Sequence, residues 1–110
     1  QRRPSATLVP MPLFVMIGTD GPAAREQRPT VRPAHLAHWQ ALDEAGHLKF
    51  GGPLLDAAGQ PRGSLLVFES DDLASARAHA EGDPYVTSGV FGRFELHETR
   101  AVFPSHHPLR

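Results

Sequence analysis

Apolar residues run unbroken from Leu13 to Ile17 and give way to Gly18-Thr19-Asp20-Gly21-Pro22. A short apolar run closed by turn formers predicts a strand followed by a loop. From about residue 31 to 45 the apolar positions recur at helical spacing, and Gly46 is suited to end a helix because it enters the left-handed conformation at little cost. Pro33 fits the first turn of that helix, where its missing N–H is not needed. Residues 47–50 predict a short strand running into Gly51-Gly52-Pro53, read as a close-approach turn, and 58–63 predict a turn-rich connection. Residues 64–69 form a second strongly apolar strand. Ser70-Asp71-Asp72 offers N-cap side chains to a helix over about 73–81, which stops at Gly82-Asp83-Pro84. A last strand of mixed polarity covers about 92–103.

The order β-α-β-β-α-β predicts an α+β, ferredoxin-like domain: a four-stranded antiparallel sheet with two helices on one face. The first and third strands are then central. Both are apolar on two faces: Leu13, Val15 and Ile17 oppose Phe14 and Met16, and Leu65 and Val67 oppose Leu66 and Phe68. Helices on one side of an antiparallel sheet require only one apolar face per strand. The second face predicts a homodimer packed sheet to sheet, with cover by long side chains or the N-terminal arm as the alternative.

The domain is expected over 12–103. Residues 1–11 read as an arm, either upstream coding sequence or an artificial extension, because Gln1 is not a start residue and Met11 resembles one; 104–110 read as a tail. The 110 residues fit one core, and 40% hydrophobic and 21% charged residues are ordinary for a globular domain. A net charge of −1 gives no basic surface for nucleic acid or anionic lipid, and the longest apolar run is too short to span a bilayer. The absence of cysteine excludes disulfides, thiol nucleophiles and cysteine-based metal sites, and is compatible with a reducing cytoplasm, the compartment expected.

Chemistry concentrates on two segments. On a helical wheel of about 100° per residue, His35 falls at the middle of the apolar face, flanked by Trp39 and Leu42, with His38 nearer the edge. Asp83 sits at a rigid turn between Gly82 and Pro84, where it either caps the segment from Pro84 or orients His35. A histidine fixed by a carboxylate can move a proton; the competing reading is a hydrogen-bonded core histidine. His35 and His38, three apart, could chelate a metal, but no second pair or H-E-x-x-H signature accompanies them, so no metal is expected. No nucleotide-binding glycine motif is present, and no cofactor is expected. His47, His79 and His97 read as surface or packing residues.

Taken in order, Val31-Arg32-Pro33-Ala34-His35-Leu36-Ala37, Gly52-Pro53, Gly63-Ser64, Phe68-Glu69-Ser70, Asp83-Pro84-Tyr85-Val86 and Gly89-Val90-Phe91, with a first strand ending in Asp20, resemble the YciI-like (YCII-related) family over roughly 12–103. The resemblance implies a ferredoxin-like fold that dimerises in the manner of dimeric α/β barrels. It also implies a pocket centred on His35 and Asp83, with Ser64 nearby. One relative removes chloride from a hydroxylated ring without a cofactor, and muconolactone isomerase has a similar fold. The resemblance departs at the segment between Gly52-Pro53 and Gly63-Ser64, which is shorter than in relatives, and the N-terminal arm has no counterpart.

The function expected is a cofactor-free lyase, dehydrochlorinase or isomerase acting on a small cyclic or hydroxylated aromatic substrate. His35 would shuttle the proton and Asp83 would orient it. Arg32 would hold a carboxylate or phenolate, Ser64 would donate a hydrogen bond, and Gly52, Pro53 and Tyr85 would wall the pocket, with Trp39 either wall or core. The alternative is a non-catalytic binding or interaction module with a structural histidine.

Overall fold

A computed structural model describes residues 11–105, so the expected arm, apart from Met11, and His106 and His107 of the tail lie outside the described residues. The elements are β1 (Leu13–Asp20), α1 (Ala24–Glu44), β2 (Leu48–Leu55), β3 (Pro61–Glu69), α2 (Leu73–Glu81), a short α3 (Pro84–Thr87) and β4 (Phe91–Thr99). The strands form one antiparallel sheet in the order β2-β3-β1-β4, so the two doubly apolar strands are central. This is the ferredoxin-like α+β architecture, with α3 as an extra turn between α2 and β4. No helix among the described residues is long and apolar enough to cross a membrane.

Period-two alternation divides the sheet into two faces. Phe14, Met16, Leu66, Phe68 and Leu96 point to the helices and are buried, joined there by Trp39, Ala76, Ala80, Tyr85, Val90 and Phe91. Each large apolar side chain in this layer contributes on the order of 1.5–3 kcal/mol through burial. The opposite face carries the cross-strand pairs Val15–Val67 and Ile17–Leu65, all four only half-buried, beside exposed Phe50.

Four elements differ from the sequence pattern; among them, β3 begins at Pro61, inside the connection expected over 58–63, because residues 61–63 pair with the end of β2. Helix α1 begins at Ala24 rather than near 31 and runs through Pro29 and Pro33. An interior proline costs an ideal helix about 3 kcal/mol or more. Here Ala24 is buried and Arg28 is hydrogen-bonded to the sheet, so packing sustains the two turns that periodicity does not mark. Gly51-Gly52-Pro53 is not a turn but part of β2, which continues to Leu55. Because β2 is an edge strand, Pro53 can sit in it with no ladder partner on its outer side. The turn follows at 56–60, where Asp56 Oδ1 accepts from the N–H groups of Ala58 and Gln60, and Gly59 has φ +81°. Those backbone donors hold the Asp56 carboxyl below its ordinary range. Strand β4 ends at Thr99, short of the expected 103.

Glycine is required at two neighbouring positions of the paired strands β1 and β3. A Cβ at Gly63 would run into the Gly18 carbonyl, and one at Gly18 into the Phe91 ring. This end of the sheet lies under the start of α1.

Candidate active site

Asp83 initiates α3. Pro84 follows it within the first helical turn, and the Asp83 side chain caps the turn by accepting from the Tyr85 N–H at 2.9 Å. The same oxygen, Oδ1, accepts from His35 Nδ1 at 2.8 Å. The other, Oδ2, accepts from the Trp39 indole N–H at 3.0 Å. Asp83 is fully buried, so its charge is compensated by these three donors rather than by water. The sequence left capping and histidine orientation as alternatives; one oxygen serves both.

The geometry fixes the histidine's tautomer. A carboxylate accepts only, so Nδ1 carries a proton, and in the neutral ring Nε2 keeps its lone pair. Nε2 has no protein partner among the described residues and is not enclosed. The imidazole stacks on Tyr85, with ring centres 3.9 Å apart and planes 9° from parallel. Tyr85 meets Phe91 edge-on at 5.4 Å. Burial pushes the Tyr85 phenol above its ordinary pKa, against the pull of the Arg28 and Arg32 cations.

A cleft of about 880 Å³ opens over this stack between α1, β2 and β3. Of the residues singled out in the sequence, Arg32, His35, Gly52, Pro53, Ser64 and Tyr85 all line it, as does Trp39; Asp83 lies behind His35. Arg32 is exposed and makes no ion pair among the described residues. His35 and His38 face different partners: His38 donates from Nε2 to the His79 carbonyl at 2.7 Å. Among the described residues no group of three or more side chains is placed to hold a metal ion.

Sequence reasoning missed Arg28. Its guanidinium binds Asp20 through Nε and Nη2 at 3.0 and 2.9 Å, reaches the Gly63 carbonyl and Ser64 Oγ through Nη2 at 2.9 and 3.3 Å, and lies 4.9 Å from the Tyr85 ring centre. The signal was its place two helical turns before His35 on the same stripe, hidden while the helix was started near 31. The part of Trp39 was half-seen. It packs edge-to-face on Phe68 and His79, at 5.0 and 4.5 Å, and also holds Asp83.

Behind Trp39, His79 stacks on His38 at 4.1 Å, and its Nε2 is buried without a hydrogen-bond partner among the described residues. Burial, followed by the neighbouring His38, lowers its pKa from the ordinary 6.5.

The profile of the YCII-related domain matches residues 12–100. The protein YciI of Escherichia coli O6:H1 is 36% identical over 97 residues, covering 83% of this chain and 99% of that protein. Among solved structures, 5-chloro-2-hydroxyhydroquinone dehydrochlorinase (TftG) from Burkholderia phenoliruptrix AC1100, in complex with 2,5-dihydroxybenzoquinone, superposes with TM-score 0.72 at 26% identity. That match covers 80% of this chain and 93% of TftG. A NIPSNAP family protein from Agrobacterium tumefaciens shares the fold, with TM-score 0.51 at 17% identity over 87% of this chain and 99% of its own.

Two outcomes follow from the buried network. Trp39→Phe keeps an aromatic ring but leaves Asp83 Oδ2 without its donor, so denaturant unfolding should show a loss of about 1–3 kcal/mol; a loss within error would mean that the indole N–H does not support the carboxylate. For His79, the folded protein binds its proton less readily than the unfolded chain. The stability this gives is present above about pH 6.5 and is lost as pH falls below that value. Melting curves between pH 7 and 5 should therefore fall less steeply for His79→Phe than for the wild type.

Proposed function

The chain belongs to the YCII-related family, and we propose that it is a cofactor-free enzyme of lyase or isomerase type, in which His35 moves a proton on a small cyclic or hydroxylated aromatic substrate. The observation that carries this reading is the hydrogen bond from His35 Nδ1 to buried Asp83, which leaves Nε2 free in a cleft walled by Tyr85, Trp39, Gly52 and Pro53. A base needs its lone pair available, its ring held and its imidazolium stabilised once formed. The Asp83 bond and the Tyr85 stack supply the last two. Arg32 at the cleft's edge provides a cation for a carboxylate or phenolate substituent, and Ser64 a hydroxyl. The dehydrochlorinase activity of TftG and its quinone complex support a hydroxylated ring as the substrate class. The cytoplasm is the proposed compartment.

The working unit is a homodimer in this proposal. Val15, Ile17, Leu65 and Val67 lie on the sheet face that bears no helix, and a second copy packed sheet to sheet would remove them from water.

Wild type incubated with chlorinated hydroquinones and hydroxylated rings should release chloride or exchange ring hydrogen for deuterium, followed by ion chromatography and NMR. His35→Ala should lower the rate by about 100-fold or more and Asp83→Asn by a similar order. Binding without turnover across the panel would instead favour a binding module. In sedimentation velocity the wild type should run as a dimer and Val67→Lys as a monomer; a monomeric wild type at micromolar concentration would sink the sheet-to-sheet arrangement.

A further inference from the structure

Arg28 spends only part of its hydrogen-bonding capacity on the protein. Nε and Nη2 are engaged by Asp20, Gly63 and Ser64, and the Tyr85 phenol interacts with the same guanidinium; Nη1 makes no hydrogen bond of ordinary length among the described residues. Ser64 is 4% exposed and accepts from Nη2 through Oγ, so its own O–H proton is free; no protein acceptor takes it among the described residues. Both residues line the cleft that holds His35. One part of the cleft therefore offers donors, and the part at His35 Nε2 offers an acceptor.

We propose that Arg28 Nη1 and the Ser64 hydroxyl form an oxyanion site, and that the substrate is an enolisable carbonyl compound (a ring ketone or the keto tautomer of a phenol) whose oxygen rests on these donors while its C–H faces His35. The proposal builds on His35 as the base. His35 Nε2 takes the proton from carbon, the C–H electron pair forms a C=C bond, and the carbonyl π pair moves to oxygen. Arg28 and Ser64 hydrogen-bond the resulting enolate oxygen. When the carbonyl re-forms, the enolate either expels a leaving group from the β-carbon or is reprotonated by His35 at another carbon.

Because Asp20 offsets the Arg28 charge, the site suits an oxygen whose charge is delocalised, as in an enolate or a 4-nitrophenolate, over a compact anion. Asp20 matches the Arg28 charge at 2.9 Å, and three acceptors fix the guanidinium, so it supplies directed hydrogen bonds with no reorganisation. Unpaired Arg32 is the group suited to a compact anion such as a carboxylate.

The test uses 4-nitrophenolate, a planar mimic of an enolate oxygen, titrated at a pH where the probe is ionised. Wild type should bind it and shift its absorbance band to shorter wavelength. Arg28→Gln should weaken binding about tenfold and Ser64→Ala about threefold, each reducing the shift, with Arg77→Gln on α2 unchanged. Circular dichroism checks folding; if Arg28→Gln does not fold, Ser64→Ala decides. Wild type that does not bind the probe, or folded variants within twofold of it, would overturn the proposal. Deuterium exchange into cyclohex-2-enone, lost in His35→Ala, reads the base separately, so the oxyanion site can fail while that role stands.

Discussion

A single fully buried carboxylate holds the site together. Asp83 is reached by three N–H groups from different parts of the chain: the start of α3, the middle of α1 and the indole one turn further along α1. Removing water from a charge costs several kcal/mol, and only a full set of partners makes the burial tolerable. The consequence is mutual constraint. Asp83 cannot be buried unless α1 presents His35 and Trp39 to it, and α1 cannot sit there without aligning His35 against Tyr85. Stability and orientation thus share the same bonds.

The sheet supplies the platform. Its covered face packs Phe14, Met16, Leu66 and Phe68 beneath the helices, and Trp39 ties that layer to Asp83 through its edge contact with Phe68. At the other end of the same face side chains become small. Gly18 and Gly63 let the strands and Phe91 close up, and Arg28 descends onto the Gly63 carbonyl and Ser64. The cleft lies above this transition, with aromatic walls on one side and fixed polar groups on the other.

Much of this was legible in the chain. The two-faced apolar strands located the sheet centre, helical periodicity put His35 on the inner stripe, and Gly82-Asp83-Pro84 marked a rigid turn. Three features were not, because they depend on long-range contacts. Pro29 and Pro33 read as a helix start, and only the attachment of Arg28 to Asp20 and Gly63 shows why the helix begins earlier. Gly51-Gly52-Pro53 reads as a turn, and only its place on a sheet edge makes it strand. The hydrogen bond from Trp39 to Asp83 spans 44 positions, a distance over which no local pattern operates.

The edge position of β2 separates two inheritances. The groups that would move protons lie on α1, α3 and the start of β3, each locked by interior bonds. The wall formed by Gly51, Gly52 and Pro53 belongs to a strand paired on one side only and ending in an exposed turn at 56–60. Lengthening or rewriting that hairpin reshapes the cleft without touching Asp83, so related chains can diverge in what the cleft accepts while the buried network around Asp83 stays unchanged.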